Sequence, residues 1–234
     1  MVAMRSSPEQ PDDARLDPEA VETWIFDLDN TLYPASTGVF HQIVRRIGRC
    51  IEELLDVSAE EARRLQKSYL RAHGSTLRGL MIHHDLNPNE FLNYVHAIDV
   101  TPLAANPPLA RALDALPGRR VIFTNASTRH ATRVTDQLGI TAAFDGVFDI
   151  HAADYRPKPD PDTYGRMVAA LEVEPTRAVF FEDIARNLAP AAALGMTTVW
   201  ISGDNPYGRE GAEGDHVHHV ADDLVAWLEA LWPE

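Results

Sequence analysis

The apolar run Trp24-Ile25-Phe26 leads into two carboxylates, Asp27 and Asp29, and then into the hydroxyl of Thr31. A carboxylate at the end of a buried strand is unfavourable unless a cation or a bound ligand uses it. Two such groups this close need different protonation habits or a metal ion between them. The pair therefore points to chemistry rather than packing. Further reactive side chains stand beyond later apolar runs. Thr124 follows Val121-Ile122-Phe123, and Glu182-Asp183 follows Val179-Phe180-Phe181. Lys158 lies in the proline-rich stretch Arg156-Pro157-Lys158-Pro159-Asp160-Pro161.

Bringing together groups so far apart in sequence requires a sheet. Apolar runs over residues 23–28, 120–124, 147–150, 178–181 and 197–201 read as strands covered on both faces. Helical patterns over 128–138, 162–171 and 185–194 lie between the later ones, and Gly139 and Gly195 stand where left-handed C-terminal caps are wanted. These repeated units predict an α/β fold, a Rossmann-like doubly wound parallel sheet. Ligands in such sheets bind beyond the carboxyl ends of the strands. Asp27, Thr124, Glu182 and Asp183 all fall there.

About 90 residues separate the first strand from the second, too many for one crossover helix. Val39, Phe40, Ile43, Val44, Ile47, Ile51, Leu54 and Leu55 follow a helical repeat, and further helices are expected over 59–72, 88–98 and 109–116. The pattern predicts a helical cap, residues 38–101, inserted into a core made of 21–37 and 102–234. Pro102, Pro107 and Pro108 mark the return to the core. Residues 1–20 are expected to form a flexible tail.

The four residue sets, in this order and spacing, resemble the motifs of the haloacid dehalogenase superfamily of hydrolases, over about residues 22–225. The resemblance implies a C1-type cap and a set of roles. Asp27 is then the nucleophile, forming an aspartyl-phosphate. Asp29 is the general acid and afterwards the base, which requires its pKa to lie above that of Asp27. Thr124 and the backbone N–H groups near Asn125 cradle the phosphoryl oxygens, and Lys158 stabilises negative charge. Asp27, Asp183 and the backbone carbonyl of Asp29 hold Mg²⁺, with Glu182 touching it directly or through water. Thr31 closes the turn with its hydroxyl.

Asp29 also separates the two main chemistries of the superfamily. Cleaving a carbon–halogen bond leaves no alkoxide to protonate, whereas cleaving a phosphate ester does. The reading is a phosphatase. A helical lid in this position favours small-molecule phosphomonoesters over phosphoproteins. Residues 26–33 and 68–80 are further similar to the pyrimidine 5′-nucleotidase branch, which acts on nucleoside monophosphates such as UMP and CMP. This chain has His73-Gly74 where yeast-type members have Tyr-Gly, and Glu182-Asp183 where they have two aspartates. Tyr33, His73 and Arg78 are the residues expected near the leaving group. The alternatives are a broad phosphatase for phosphoglycolate or sugar phosphates, a dehalogenase, and a catalytically silent regulatory relative.

Composition narrows the partners. A formal charge of −14 over 234 residues repels nucleic acids and anionic membranes. The single cysteine, Cys50, excludes an internal disulfide and a cysteine-rich zinc site, and its setting reads as a half-buried apolar position. No apolar stretch approaches a membrane span, and the polar N-terminus lacks the apolar core of a signal peptide, so a cytoplasmic location is expected. His83-His84-Asp85 falls in the cap, where adjacent histidines are not expected to share one helix stripe. His216-Val217-His218-His219 reads as a short exposed edge strand. Asn125-Ala126-Ser127 matches a glycosylation acceptor, irrelevant at a cytoplasmic strand end. The stripe over 224–232 reads as core packing by a closing helix.

Overall fold

Phe26 pairs with Ile122 on one side and Phe181 on the other, in parallel register, so three strands end level at the centre of one sheet. The structure, a computed structural model, describes residues 16–203, 205 and 208–232. In chain order it contains β1 (Thr23–Phe26), α1 (Val39–Leu55), α2 (Ala59–His73), α3 (Thr76–His84), α4 (Pro88–Val95) and α5 (Pro107–Asp114). Then come β2 (Arg119–Phe123), α6 (Thr128–Leu138), β3 (Gly146–Phe148), α7 (Pro161–Leu171), β4 (Ala178–Glu182) and α8 (Ala189–Ala193). β5 (Thr197–Ile201), β6 (His219–Ala221) and α9 (Leu224–Glu229) complete it. All strand pairs are parallel, in the order β3-β2-β1-β4-β5-β6. The direction of winding reverses between β1 and β4, which is where open sheets of this kind form their ligand crevice.

Alternation along the strands divides the core into two layers. Trp24, Phe26, Ile122, Phe181 and Val199 face one side, with Leu109 and Leu113 of α5, Val134 of α6 and Leu228 of α9. Ile25, Val121, Phe123, Phe180 and Trp200 face the other, with Tyr164 and Met167 of α7 and Ala191 of α8. The sheet is therefore sandwiched between helices, as its nearly continuous hydrophobic strands require. Phe26 stacks on Phe181, centroids 4.7 Å apart, directly beneath the strand ends that carry Asp27 and Glu182.

Helices α1 to α4 all lie between β1 and β2 and form the inserted cap. Helix α3 falls outside the expected pattern. It is short, carries Gly79 and ends in two histidines, so its apolar spacing is weak. Gly79 is what lets it dock: a Cβ there would stand 2.4 Å from the Tyr69 ring on α2. The helix expected over 185–194 is split into a 3₁₀ turn at Ala185–Leu188 and the short α8, where Pro190 cannot donate to a helical bond. The helix expected over 109–116 instead starts at Pro107, since proline suits a first helical turn. The helix expected over 88–98 stops at Val95. Residues 1–15 of the expected tail lie outside the described residues, while Pro18–Ala20 forms a 3₁₀ turn capped by Asp17.

Candidate active site

Asp27 follows β1 and Glu182 ends β4, so the register between Phe26 and Phe181 sets both carboxylates at the same level on adjacent strands. Lys158, from the loop before α7, reaches between them. Its Nζ lies 2.7 Å from Asp27 Oδ1, 2.6 Å from Glu182 Oε2 and 2.8 Å from the Phe123 carbonyl. The ammonium is fully buried and stands 4.9 Å from the Phe123 ring centroid. The other carboxylate oxygen of Asp27 accepts from Thr31 Oγ1 at 3.1 Å, so the turn residue touches the expected nucleophile itself. Asn30 turns the chain at φ +66°, a left-handed conformation that asparagine tolerates better than most residues.

Asp183 completes the cluster, accepting from Asn205 Nδ2 at 2.6 Å. Carboxylate oxygens of Asp27, Glu182 and Asp183 lie within 4.8 Å of one another, and all three residues are buried. Three carboxylates thus face one ammonium. Burial, reinforced by the charge of Glu182, pushes Asp27 from the ordinary carboxylate range up to about 7, despite Lys158. The same two causes push Asp183 well up. Burial opposes the charged form of Lys158, but Asp27 and Glu182 outweigh it and hold the ammonium above its usual range. A buried all-oxygen set with excess negative charge fits a hard divalent cation. Glu182 already takes Lys158 on one oxygen and the Ile184 N–H, at 3.2 Å, on the other. Asp27 is likewise engaged on both oxygens, by Lys158 and Thr31, so Asp183, with Asn205 on one oxygen, is the freer ligand.

Asp29 is not simply a second acid beside the first. Its Oδ1 accepts from the Tyr33 hydroxyl and lies 2.9 Å from His130 Nε2. Burial pushes this carboxyl up, but His130 and Tyr33 outweigh burial and leave it below the usual carboxylate range. In the metal-free protein the order of the two acids is therefore opposite to that expected from the sequence. Tyr33 itself is pushed well above its ordinary value, first by burial and then by Asp29.

His130, on α6, has no solvent exposure, and its ring stacks on His96 with centroids 4.6 Å and planes 16° apart. His96 follows α4, and its Nδ1 lies 3.0 Å from Ser127 Oγ. Burial, with His130 adding to it, lowers the His96 pKa to about 3, so the ring beside the Ser127 hydroxyl is neutral. Sequence reasoning missed all three residues. Ser127 and His130 were legible in part, as an N-cap and the third residue of the helix that follows Thr124. Nothing in sequence links His96 to them.

Thr124 follows β2, its Oγ1 accepting the Ala126 N–H at 3.0 Å. The Asn125 side chain clamps the Lys158 backbone: Oδ1 accepts Lys158 N–H at 2.8 Å and Nδ2 donates to the Lys158 carbonyl at 3.4 Å. In the cap, Arg78 Nη1 donates to the Tyr155 carbonyl at 3.4 Å, tying α3 to the loop that carries Lys158. His73 instead meets His83, with Nε2 atoms 2.9 Å apart. The adjacent histidines do share a cluster, because α3 ends at His84: His83 stacks on Tyr69, and His84 Nε2 lies 2.6 Å from the Tyr69 hydroxyl. A cleft of about 480 Å³ opens beside Asp183, lined among others by Asn30, Thr31, Tyr33, Asn205 and Arg209. Among the described residues, no helix is long and apolar enough to cross a membrane.

A family model described as haloacid dehalogenase-like hydrolase matches residues 21–195. The chain is 28% identical over 200 residues to Phosphate metabolism protein 8 of Saccharomyces cerevisiae, covering 77% of this chain and 61% of that protein. It is 38% identical over 97 residues to Enolase-phosphatase E1 of Frankia alni, 40% of each chain. The matches thus span less than two thirds of these relatives. Among solved structures, a HAD phosphatase from Thermococcus onnurineus superposes with a TM-score of 0.61 at 21% identity, covering 92% of this chain and 99% of that one. The L-2-haloacid dehalogenase from Xanthobacter autotrophicus superposes at 0.51 with 18% identity, covering 90% and 88%. At these identities the structures speak for the fold.

Proposed function

This chain belongs to the haloacid dehalogenase-like hydrolases, and we propose that it hydrolyses small phosphomonoesters through a phosphorylated Asp27. One observation carries the choice of reaction: a second carboxylate, Asp29, is fixed by two hydrogen bonds two residues beyond the buried, lysine-held Asp27. Ester hydrolysis uses such a group; dehalogenation does not. The match to an enolase-phosphatase supports the same chemistry.

Asp27, Asp183 and the Asp29 backbone carbonyl would hold the cation, Glu182 acting behind Lys158. When bound, Mg²⁺ offsets the charge that makes this cluster unfavourable and that of the phosphoryl oxygens. Lys158 holds Asp27 Oδ1 in place and stabilises charge on the transferring group. Thr124 and the backbone N–H groups after it receive the phosphoryl oxygens. An Asp27 oxygen forms a bond to phosphorus as the bond to the leaving oxygen breaks, and Asp29 gives that oxygen its proton. In the second half, Asp29 takes a proton from the water that attacks phosphorus, which frees Asp27 and inorganic phosphate. The low pKa of Asp29 suits the second half. The negative charge of an arriving phosphate favours the protonated form needed in the first.

The substrate class we infer is nucleoside 5′-monophosphates, on the two stretches resembling pyrimidine 5′-nucleotidases. The link from Arg78 to the loop of Lys158 supports a cap that reads the leaving group. Tyr33 also serves this reading, next to Asp29, while His73 acts from the α2–α3 hairpin. The test is an initial-rate screen with Mg²⁺ over UMP, CMP, purine nucleotides, phosphoglycolate and sugar phosphates. A clear preference for UMP and CMP, weakened by Arg78→Ala and His73→Ala, supports it. A flat profile demotes the chain to a broad phosphatase. Absence of magnesium-dependent phosphate release, or full activity in Asp27→Asn, removes the phosphatase reading.

A further inference from the structure

We propose that His130 is a positioning residue for Asp29, holding Oδ1 so that Oδ2 carries the proton in both half-reactions. The inference rests on the reading of Asp29 as general acid and base, and deepens it. His130 lies outside the four motifs, and its ring hydrogen-bonds to the catalytic set at Asp29.

The geometry is specific. His130 is wholly buried, and its only ring hydrogen bond among the described residues runs from Nε2 to Asp29 Oδ1 at 2.9 Å. Its Nδ1 is buried without a partner. A bare lone pair at a buried nitrogen is tolerated better than an N–H with no acceptor. That fixes the tautomer: the proton sits on Nε2 and is donated to Asp29. A histidine kept for packing alone has no need to leave one nitrogen unsatisfied while aiming the other at an acidic group.

The ring is stacked on His96, and the surroundings of both histidines are tied down. His96 stacks against its face at 4.6 Å. Ser127 Oγ accepts the His130 backbone N–H at 3.4 Å while bonding His96 Nδ1. Arg133, one helical turn along α6, donates to the carbonyls of His96 at 2.7 Å and Ile98 at 2.6 Å. The segment leaving the cap is thereby pinned over His130. Tyr33 supplies the second donor to the same oxygen. With Oδ1 taken twice, and no protein partner on Oδ2 among the described residues, only Oδ2 can face the leaving group and then the water.

The test compares His130→Gln, which keeps a donor at similar reach, with His130→Met, which has similar bulk and none. For both, kcat/KM, which reports the first irreversible step, is measured with Mg²⁺ on an alkyl phosphate and on p-nitrophenyl phosphate. The alkyl alkoxide needs protonation far more than the nitrophenolate. We expect His130→Met to lose roughly 10- to 100-fold on the alkyl ester, a part of the usual general-acid contribution, and at most about 3-fold on the aryl ester. His130→Gln should recover most of the loss. An equal fall on both esters, or equal behaviour of Gln and Met, overturns the proposal. Asp29→Asn separates the two layers. If it discriminates between the esters and His130→Met does not, only the role of His130 fails; if neither discriminates, the assignment of Asp29 fails. Should the Met variant not fold, long-range ¹H–¹⁵N correlation of wild-type imidazoles decides, Nε2-protonated supporting and Nδ1-protonated overturning it.

Discussion

Lys158 Nζ lies 2.7 Å from Asp27 Oδ1 across 131 residues of sequence, and the same ammonium holds Glu182 at 2.6 Å. It is the cation that makes the acidic strand ends compatible with burial. Replacing it by Lys158→Met removes the charge but keeps much of the volume. The three carboxylates are then left without a protein counter-charge. Breaking a buried pair in this way costs about 3–5 kcal/mol. Urea unfolding should register that loss, and turnover with Mg²⁺ should fall about 100- to 1,000-fold, as when a charge-stabilising donor is removed. An active and fully stable variant would mean that Lys158 is dispensable to both.

Metal and pH act on the same cluster in a defined direction. The Asp27 carboxyl rises from 3.8 to about 7 on folding. Between those values the native state binds a proton that the unfolded chain has lost, so stability falls as pH rises, and Asp183, raised too, adds to the fall. Asp29, lowered from 3.8, acts in the opposite sense only below about pH 4, and His96, lowered from 6.5 to about 3, acts in the opposite sense up to about pH 6.5. Above pH 6.5 only the raised carboxyls still act, so thermal unfolding in chelator should give a lower Tm near pH 8 than near pH 6.5. Mg²⁺ binds the ionised carboxylates, so its stabilisation should grow with pH. At 100 times its Kd it contributes about 2.7 kcal/mol, or roughly 5–10 °C in a chain of this size. A Tm that rises from pH 6.5 to pH 8 without metal, or a Mg²⁺ effect independent of pH, contradicts this account.

Much of the arrangement was legible because strands carry their own signal. Asp27, Thr124 and Glu182 each end a short apolar run, and the parallel sheet then forces those ends together. Lys158 was legible as a charged residue in a proline-rich loop, though not its bridging position. What escaped was contact between elements whose patterns are independent. His96 follows α4 and His130 lies on α6, and only the packing of cap on core stacks their rings. The lowered pKa of Asp29 in the metal-free protein escaped for the same reason, since it depends on that histidine. The α3 helix escaped because its docking rests on a missing side chain, Gly79, rather than on an apolar stripe.

Asn205 offers a test of the metal site that leaves the ligands themselves intact. Its Nδ2 donates to Asp183 Oδ2 at 2.6 Å, which orients the carboxylate and favours its charged form. Partners of this kind typically contribute 10- to 100-fold in metal affinity. Asn205→Ala should raise the Mg²⁺ concentration for half-maximal rate by about 10-fold or more, with a smaller change in the rate at saturating metal. An unchanged metal titration would show that Asp183 is oriented without it.

The cap hairpin can be perturbed from a point outside the catalytic cluster. A Cβ on Gly79 would lie 2.4 Å from Cγ and 2.5 Å from Cβ of Tyr69, well inside contact distance. Tyr69 is itself fixed by His84 at its hydroxyl and by His83 at its ring face, so it cannot simply swing aside. Gly79→Ala must push α3 from α2, at about 1–3 kcal/mol for an overpacked contact, against a small gain in helix propensity. Arg78 precedes Gly79 and ties α3 to the Tyr155 carbonyl, so the same displacement strains the link between cap and core. The variant should be less stable in thermal unfolding and should show a raised KM for the phosphomonoester it hydrolyses. The Mg²⁺ titration should stay near wild type, because Asp27 and Asp183 belong to the sheet ends rather than to the cap. A shift in metal affinity with no change in KM would contradict that separation.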